Sequence, residues 1–356
     1  MTRLLFTGYA HVHFVCFSPL FHALRNEPGV EMLVSGGLRR DDDEGLRVHD
    51  TAAMYAPFRL PSDAIVDIDE LAEIDVDVLF CANTKPIAPR SYARSIQLFH
   101  GLSARNRAVR DANAAYDHSF MLGPYMRRAF EQRGILPAGD PRAAPIGFPK
   151  TDRLLDGTLD RKAVLRELGF AGDRPVVLYA PTGAHDNSLE TCGEELLERL
   201  ATVDAYDVIV KPHDHPKEAI DWYQRLARFE SDHLRLLRSP DAIPSLYASD
   251  LLISDASSIA NEYLLLDRPI VFLDVPELLA AAAAEDDRLD LATWGRTGGV
   301  VASGAARAVE AVAAGLADPL AQSEARQAIA GDLFYNPGKA TQAALQWLRT
   351  ELQMAA

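Results

Sequence analysis

Short apolar runs rich in β-branched residues recur along this 356-residue chain, separated by helix-forming stretches, and the cycle is completed twice. Such alternation calls for parallel strands, because a parallel neighbour is reached only through a long crossover, usually a helix. In the first half the predicted strands are 4–7, 31–35, 76–81, 96–99, 119–122 and 144–146. In the second half they are 176–179, 207–211, 234–237, 251–254, 270–273 and 299–302. Helices are predicted over 194–200 and 259–266, a polar helical link over 150–173, and a final amphipathic helix over 339–352. The expected architecture is α/β, with two Rossmann-like, doubly wound parallel-sheet domains over 1–155 and 156–335. Residues 336–356 are expected to cross back to the first domain. Ligands of such sheets bind beyond the carboxyl ends of the strands, so a cleft between facing domains is the expected site.

A formal net charge of -15 excludes a general nucleic-acid binder, whose affinity comes from neutralising phosphates. One segment opposes that balance: Lys85, Arg90, Arg94, Arg105, Arg107, Arg110, Arg127, Arg128 and Arg133 outnumber Asp111, Asp117 and Glu131. It reads either as a solvated helix face or as a surface for an anionic acceptor or lipid headgroup. Cys16, Cys81 and Cys192 are widely spaced and odd in number, against a disulfide framework or a zinc ribbon. The apolar run 278–284 is far shorter than the ~20 residues a membrane span needs. His11 and His13 interrupt the apolar N-terminus, which is not read as a signal peptide. A cytoplasmic enzyme is expected, peripheral at the inner face of the membrane if 85–133 docks there.

Several strand ends carry chemistry. The strand 251–254 runs into Asp255-Ala-Ser257-Ser258 and then a helix. Capping explains one such residue; a diphosphate site, using hydroxyls and free helix N–H groups, explains the cluster. Glu262, one turn further on, could accept from a ribose hydroxyl or be a surface acid. Pro181-Thr182-Gly183 follows another strand and also reads as an ordinary turn. His100, in His100-Gly101-Leu-Ser103, and His213, in Lys211-Pro-His213, follow strands at matched places in the two halves. Either could be structural; the matched placement favours proton transfer and phosphate stabilisation. His11/His13 and His213/His215 are H-x-H pairs without an HExxH or cysteine cluster, so no metal is expected. With no GxGxxG, GxSxG or Walker loop, no cofactor is expected either.

In this order, Phe99-His100-Gly101, Gly147-Phe-Pro-Lys-Thr-Asp152, Leu178-Tyr-Ala-Pro-Thr182, Lys211-Pro-His213, Ser249-Asp250-Leu-Leu-Ile-Ser-Asp255-Ala-Ser-Ser258, Leu266-Asp-Arg-Pro269 and Gly338-Lys-Ala340 resemble one family. It is that of the CDP-glycerol glycerophosphotransferases, the teichoic-acid and capsule polymerases with the GT-B fold. The resemblance runs from about residue 95 to the C-terminus. It implies transfer of glycerol phosphate, or a related polyol phosphate, from a CDP-linked donor to a hydroxyl of a cell-surface glycan or lipid-linked precursor, with CMP released. It implies His100 as base, His213 near the donor phosphates, Ser257 and Ser258 on the diphosphate, and Thr182 in the donor pocket. Lys211, Asp255 and Glu262 are expected beside them, and His11, Gly101 and Ser103 on the acceptor side. Gly183-Ala184 stands where the family often has an aromatic and a basic residue, Lys211 where it often has Arg, and Ala256 where it often has Tyr. The Ser-Ser-x-x-x-Glu pattern is also similar to sugar transferases of this fold and to UDP-N-acetylglucosamine 2-epimerases, which leaves as the alternative a glycosyltransferase using a UDP- or CMP-sugar or an epimerase-like enzyme.

Overall fold

The computed structural model describes residues 1–41, 47–102, 105–213, 220–285, 290–291 and 296–351. The chain divides into two compact units: Met1–His100, Ala108–Asp152 and Asp332–Ala356 form the first, and Gly101–Arg107 with Arg153–Gly331 form the second.

The first unit holds β1 (Thr2–Gly8), β2 (Val30–Gly36), a hairpin of β3 (Leu38–Asp41) and β4 (Arg47–Asp50), then β5 (Asp75–Cys81), β6 (Ser91–Gln97), β7 (His118–Phe120) and β8 (Ala143–Ala144). Its parallel sheet has the order β2-β1-β5-β6-β7-β8. The chain builds outward from β1 in one direction and then the other, so the switch point lies between β1 and β5. Phe6 on β1 stacks on Phe80 of β5 at 4.4 Å and is edged by Phe17 and Phe21 of the helix His11–Leu24. The antiparallel hairpin was not predicted; its strands are short, polar and outside the main sheet. β6 begins five residues before the predicted strand. Its first half is exposed and pairs with β5 alone, so nothing requires apolar residues there.

The second unit holds β9 (Val176–Tyr179), β10 (Asp207–Val210), β11 (Leu234–Leu236), β12 (Leu251–Ser254), β13 (Ile270–Leu273) and β14 (Val300–Ala302). Their order is β11-β10-β9-β12-β13-β14, again parallel, with the switch point between β9 and β12. The central strands are fully buried, so they read as continuous apolar runs and their predicted bounds agree within a residue. No described helix is long and apolar enough to cross a membrane.

Two carboxylates, Asp152 buried and Asp267 half-buried, complete the units. In the first, Asp152 accepts from the amides of Ala340 (2.9 Å) and Thr341 (2.7 Å), capping the helix Ala340–Glu351 from 188 residues away. Gly147, at φ +98°, lies so close to Tyr335 that a Cβ there would fall 2.1 Å from its carbonyl oxygen. The similar motifs at 147–152 and 338–340 therefore meet as one structural joint. In the second unit Arg326 is 0% exposed. It donates from Nε to Asp267 (2.9 Å) and from Nη2 to the carbonyls of Asp267 and Pro319. Ser323 and Gln327 also donate to Asp267. Burial acts to raise the Asp267 carboxyl, but these donors outweigh it and hold it below its usual value.

Removing Asp267 leaves a buried guanidinium without its counter-charge. Asp267→Ala is expected to cost about 3–5 kcal/mol of stability. Asp152→Ala, which uncaps two amides, should cost about 2 kcal/mol. Urea unfolding of both variants checks the order.

Candidate functional site

At the carboxyl edge of the first sheet, β1 ends in Gly8 and the chain turns through Tyr9 and Ala10 into the helix His11–Leu24. β6 ends at Gln97, and Phe99 then adopts a left-handed conformation, φ 57°, that a bulky residue rarely takes. The surroundings enforce it. The Phe99 ring is buried against Phe130, and its amide donates to the Gln97 side chain, which donates in turn to Asn83 and Asn113.

This kink presents His100. Its Nδ1 lies 2.5 Å from the Ala82 carbonyl oxygen. A carbonyl only accepts, so Nδ1 carries the hydrogen and neutral His100 offers the Nε2 lone pair. Burial lowers its pKa below 6.5 and the Lys150 charge lowers it further, against the Ala82 hydrogen bond. Residue 100 keeps exposed surface, so burial acts on it less than on its neighbour. That neighbour is His13, with ring centroids 4.8 Å apart. His13 is 2% exposed, and its Nδ1 accepts from the Tyr9 amide at 3.1 Å. Burial, with His100 and Arg39, holds its pKa well below 6.5. His11, the residue expected on the acceptor side, turns elsewhere: Nε2 lies 3.2 Å from the Ala53 carbonyl and the ring edges onto Phe58. Sequence reasoning met His13 only as half of an H-x-H pair. One helical step of two residues carries the two rings to different sides.

In the second unit the switch point is tied by Asp255. Oδ1 accepts from the amides of Thr182 (2.8 Å) and Ala256 (2.7 Å), and Oδ2 from the Ser188 amide (3.0 Å) and hydroxyl (2.8 Å). Burial raises this carboxyl, while those four bonds pull it down. Asp255 is thus a loop clamp, its oxygens already occupied. Ser188 went unnoticed in the sequence because it lies far from any strand end.

Around this clamp stand the other expected donor residues. Thr182 is buried, and its hydroxyl accepts from Arg105 Nη2 at 3.1 Å. Gly101 lies against Ser258, where an added Cβ would be 3.1 Å from the hydroxyl, and Asn261 donates to the Leu102 carbonyl at 2.5 Å. Gly101–Arg107 thus bonds within the second unit. Ser257 and Ser258 are half-buried, and Ser257 accepts from the Ile259 amide at 3.4 Å. Glu262 is 2% exposed in the helix Ile259–Tyr263, a core position where a surface acid was one expectation. Lys211 is buried, and its ammonium donates to Tyr223 (2.9 Å) and the Pro212 carbonyl (3.2 Å). His213 is exposed, and its ring sits over Gly183, where a Cβ would be 2.5 Å from Nδ1. The Gly183 that departs from the family pattern is what admits that ring. Ser103 and His215 lie outside the described residues.

Of the basic segment, Arg90 pairs with Asp75, Arg127 with Glu131 and Arg128 with Asp332. No group of three His, Cys, Asp or Glu that could hold a metal occurs among the described residues.

The depressed His13 fixes the sign of a pH effect. Below about 6.5, the ordinary value, the unfolded chain takes up a proton that folded His13 refuses, so stability is full above that pH and falls as pH drops toward the folded pKa. In His13→Asn the loss between about pH 7 and 5 should be shallower, as read by thermal melts.

Residues 93–292 match the CDP-Glycerol:Poly(glycerophosphate) glycerophosphotransferase family. The teichoic acid glycerol-phosphate primase of Bacillus subtilis is 28% identical over 164 residues, which cover 45% of this chain and 40% of that protein. The teichoic acid poly(glycerol phosphate) polymerase of Staphylococcus epidermidis is 27% identical over 142 residues, covering 37% of this chain and 19% of that one. The aligned stretches thus span less than half of these relatives' own lengths. Among solved structures, the wall teichoic acid polymerase superposes with a TM-score of 0.65 at 16% identity, over 99% of this chain and 89% of that one. The UDP-GlcNAc 2-epimerase of Neisseria meningitidis, bound to UDP-GlcNAc, superposes with a TM-score of 0.63 at 12% identity, over 99% and 100%. At such identities these two likenesses establish the fold, a pair of parallel-sheet α/β units of GT-B type.

Proposed function

This chain belongs to the CDP-glycerol:poly(glycerophosphate) glycerophosphotransferase family, and from that membership we propose that it transfers glycerol phosphate, or a related polyol phosphate, from a CDP-linked donor to a hydroxyl of a cell-wall glycan or its lipid-linked precursor. The observation that carries the reading is the tautomer of His100. With Nδ1–H directed at Ala82, Nε2 is the atom that can take a proton, and the lowered pKa keeps it unprotonated at neutral pH. In the proposed step Nε2 removes the acceptor's hydroxyl proton as its oxygen bonds to the donor's β-phosphorus. The bond from that phosphorus to the bridging oxygen breaks, and CMP leaves with the electron pair.

Phosphoryl transfer depends mainly on positioning and on stabilising spread negative charge. His213 over Gly183, the hydroxyls of Ser257, Ser258 and Thr182, and Arg105 on Thr182 supply such groups. Arg105 joins the set because its side chain reaches Thr182. Lys211 and Asp255 act by holding loops, since their polar atoms are engaged in the protein. Docking of 85–133 on an anionic membrane has less support, because Arg90, Arg127 and Arg128 already pair with carboxylates.

With CDP-glycerol and a glycerol-phosphate-primed acceptor, His100→Ala should lower turnover by about 10²–10⁴-fold with the fold intact. Turnover in the unsubstituted protein should fall as pH drops through a value below 6.5. Wild-type rates in His100→Ala would remove the base assignment. CDP at ~100 times its dissociation constant should add ~2.7 kcal/mol of stability. A thermal shift with UDP and none with CDP would transfer the reading to a UDP-sugar enzyme.

A further inference from the structure

The carboxyl edge of the first sheet carries more hydrogen-bond donors than a proton acceptor needs. Arg39 follows the Gly36-Gly37 turn, and its amide donates to the Tyr9 carbonyl at 3.1 Å. Its guanidinium carbon lies 3.9 Å over the Tyr9 ring. Stacking fixes the guanidinium plane but uses none of its hydrogens. The Arg39 Nε is buried and has no hydrogen-bond partner among the described residues. His13 adds a second donor: Nδ1 accepts from the Tyr9 amide, so the neutral ring carries its hydrogen on Nε2. No described residue accepts from that nitrogen. His100 and Arg39 act on the His13 ring, and Lys150 acts on the His100 ring. Buried polar groups in folded proteins are satisfied, so the Arg39 Nε and the His13 Nε2 call for an acceptor atom, which an anion supplies. The place is the switch point between β1 and β5, where a doubly wound sheet takes its ligand.

We propose that Arg39 and His13 form an anion site for the phosphate group of the acceptor chain, directly beside His100. This rests on the glycerophosphate-transfer reading above. In a glycerol-phosphate terminus the free hydroxyl and the nearest phosphate are separated by one glycerol. The His13 and His100 rings, 4.8 Å apart, can therefore serve the two ends of one residue. The site gives the enzyme a means of preferring an acceptor that already carries a phosphate over a neutral polyol.

The test needs no donor and no turnover. The histidine Cε1–H resonances of the full chain are followed by NMR during titration with sn-glycerol 3-phosphate, inorganic phosphate and, as neutral control, glycerol. Glycerol 3-phosphate should shift the His13 and His100 signals and raise the pH at which both titrate, because a bound anion favours their charged forms. Glycerol should shift neither, and inorganic phosphate should bind more weakly. Arg39→Gln should weaken glycerol 3-phosphate binding by about tenfold or more, and Arg39→Lys, which keeps the charge without the flat stack, by less. An unchanged thermal shift with CDP in both variants shows that the fold and donor side are intact. Binding of equal strength in Arg39→Gln, or unmoved histidine signals, overturns the site. Equal affinity for inorganic phosphate overturns its assignment to the acceptor. If wild-type protein binds glycerol 3-phosphate in this way yet shows no CDP shift, the transfer reading fails and the anion site does not.

Discussion

A carboxylate with every lone-pair direction in use governs the second unit. At a switch point, neighbouring strands send their following loops to opposite faces of the sheet, which leaves a gap beyond the last ladder bond between β9 and β12. Asp255 spans it. Its four accepted bonds join the end of β12, the Thr182 turn after β9 and the Ser188 loop. Burial disfavours the charged form and raises the carboxyl, and the donors offset part of that cost. The arrangement persists because the amides of Thr182 and Ser188 would otherwise be buried unpaired. Thr182, and through it Arg105, take their places from this clamp.

The first unit solves the same problem with a strained backbone. Its switch point is reached by Phe99 in the left-handed region, held by an apolar ring contact on one side and the Gln97 amide on the other. Strain stored beside a histidine whose tautomer is fixed by a backbone carbonyl supports the base role proposed for His100. Beneath it Gln97 donates to the Asn83 carbonyl and the Asn113 side chain, and the Tyr116 hydroxyl donates to the same carbonyl. These bonds hold the loop in one conformation, although the buried Asn83 Oδ1 has no partner among the described residues.

The buried strands were legible because parallel strands covered on both faces must be apolar throughout, as at Val176–Tyr179, Leu251–Ser254 and Ile270–Leu273. The exposed start of β6 and the hairpin of β3 and β4 were not, since neither is covered on both faces. At the candidate site, residue types at strand ends pointed to loops but could not separate a residue with free polar atoms from one that holds the loop. Asp255 and Ser257 look alike in sequence; only the count of accepted bonds distinguishes them. His11 and His13 differ by two positions, and helical rotation alone assigns one to Ala53 and the other to His100. The meeting of Asp152 with Ala340 depends on a contact across 188 residues, beyond the reach of any local pattern.

That long-range joint sets an order of events during synthesis. The second unit is contiguous from Arg153 to Gly331, apart from the short piece Gly101–Arg107 that has already been made. It has all its strands once β14 has left the ribosome. The first unit, although begun first, lacks the helix Ala340–Glu351 that packs against His11–Leu24 and the partners of the Asp152 carboxylate until the last turns emerge. Domains usually fold as units in the order they are translated. Here the later unit is finished first, and the earlier one waits with part of its apolar helix uncovered, a period in which it is a natural client for a chaperone.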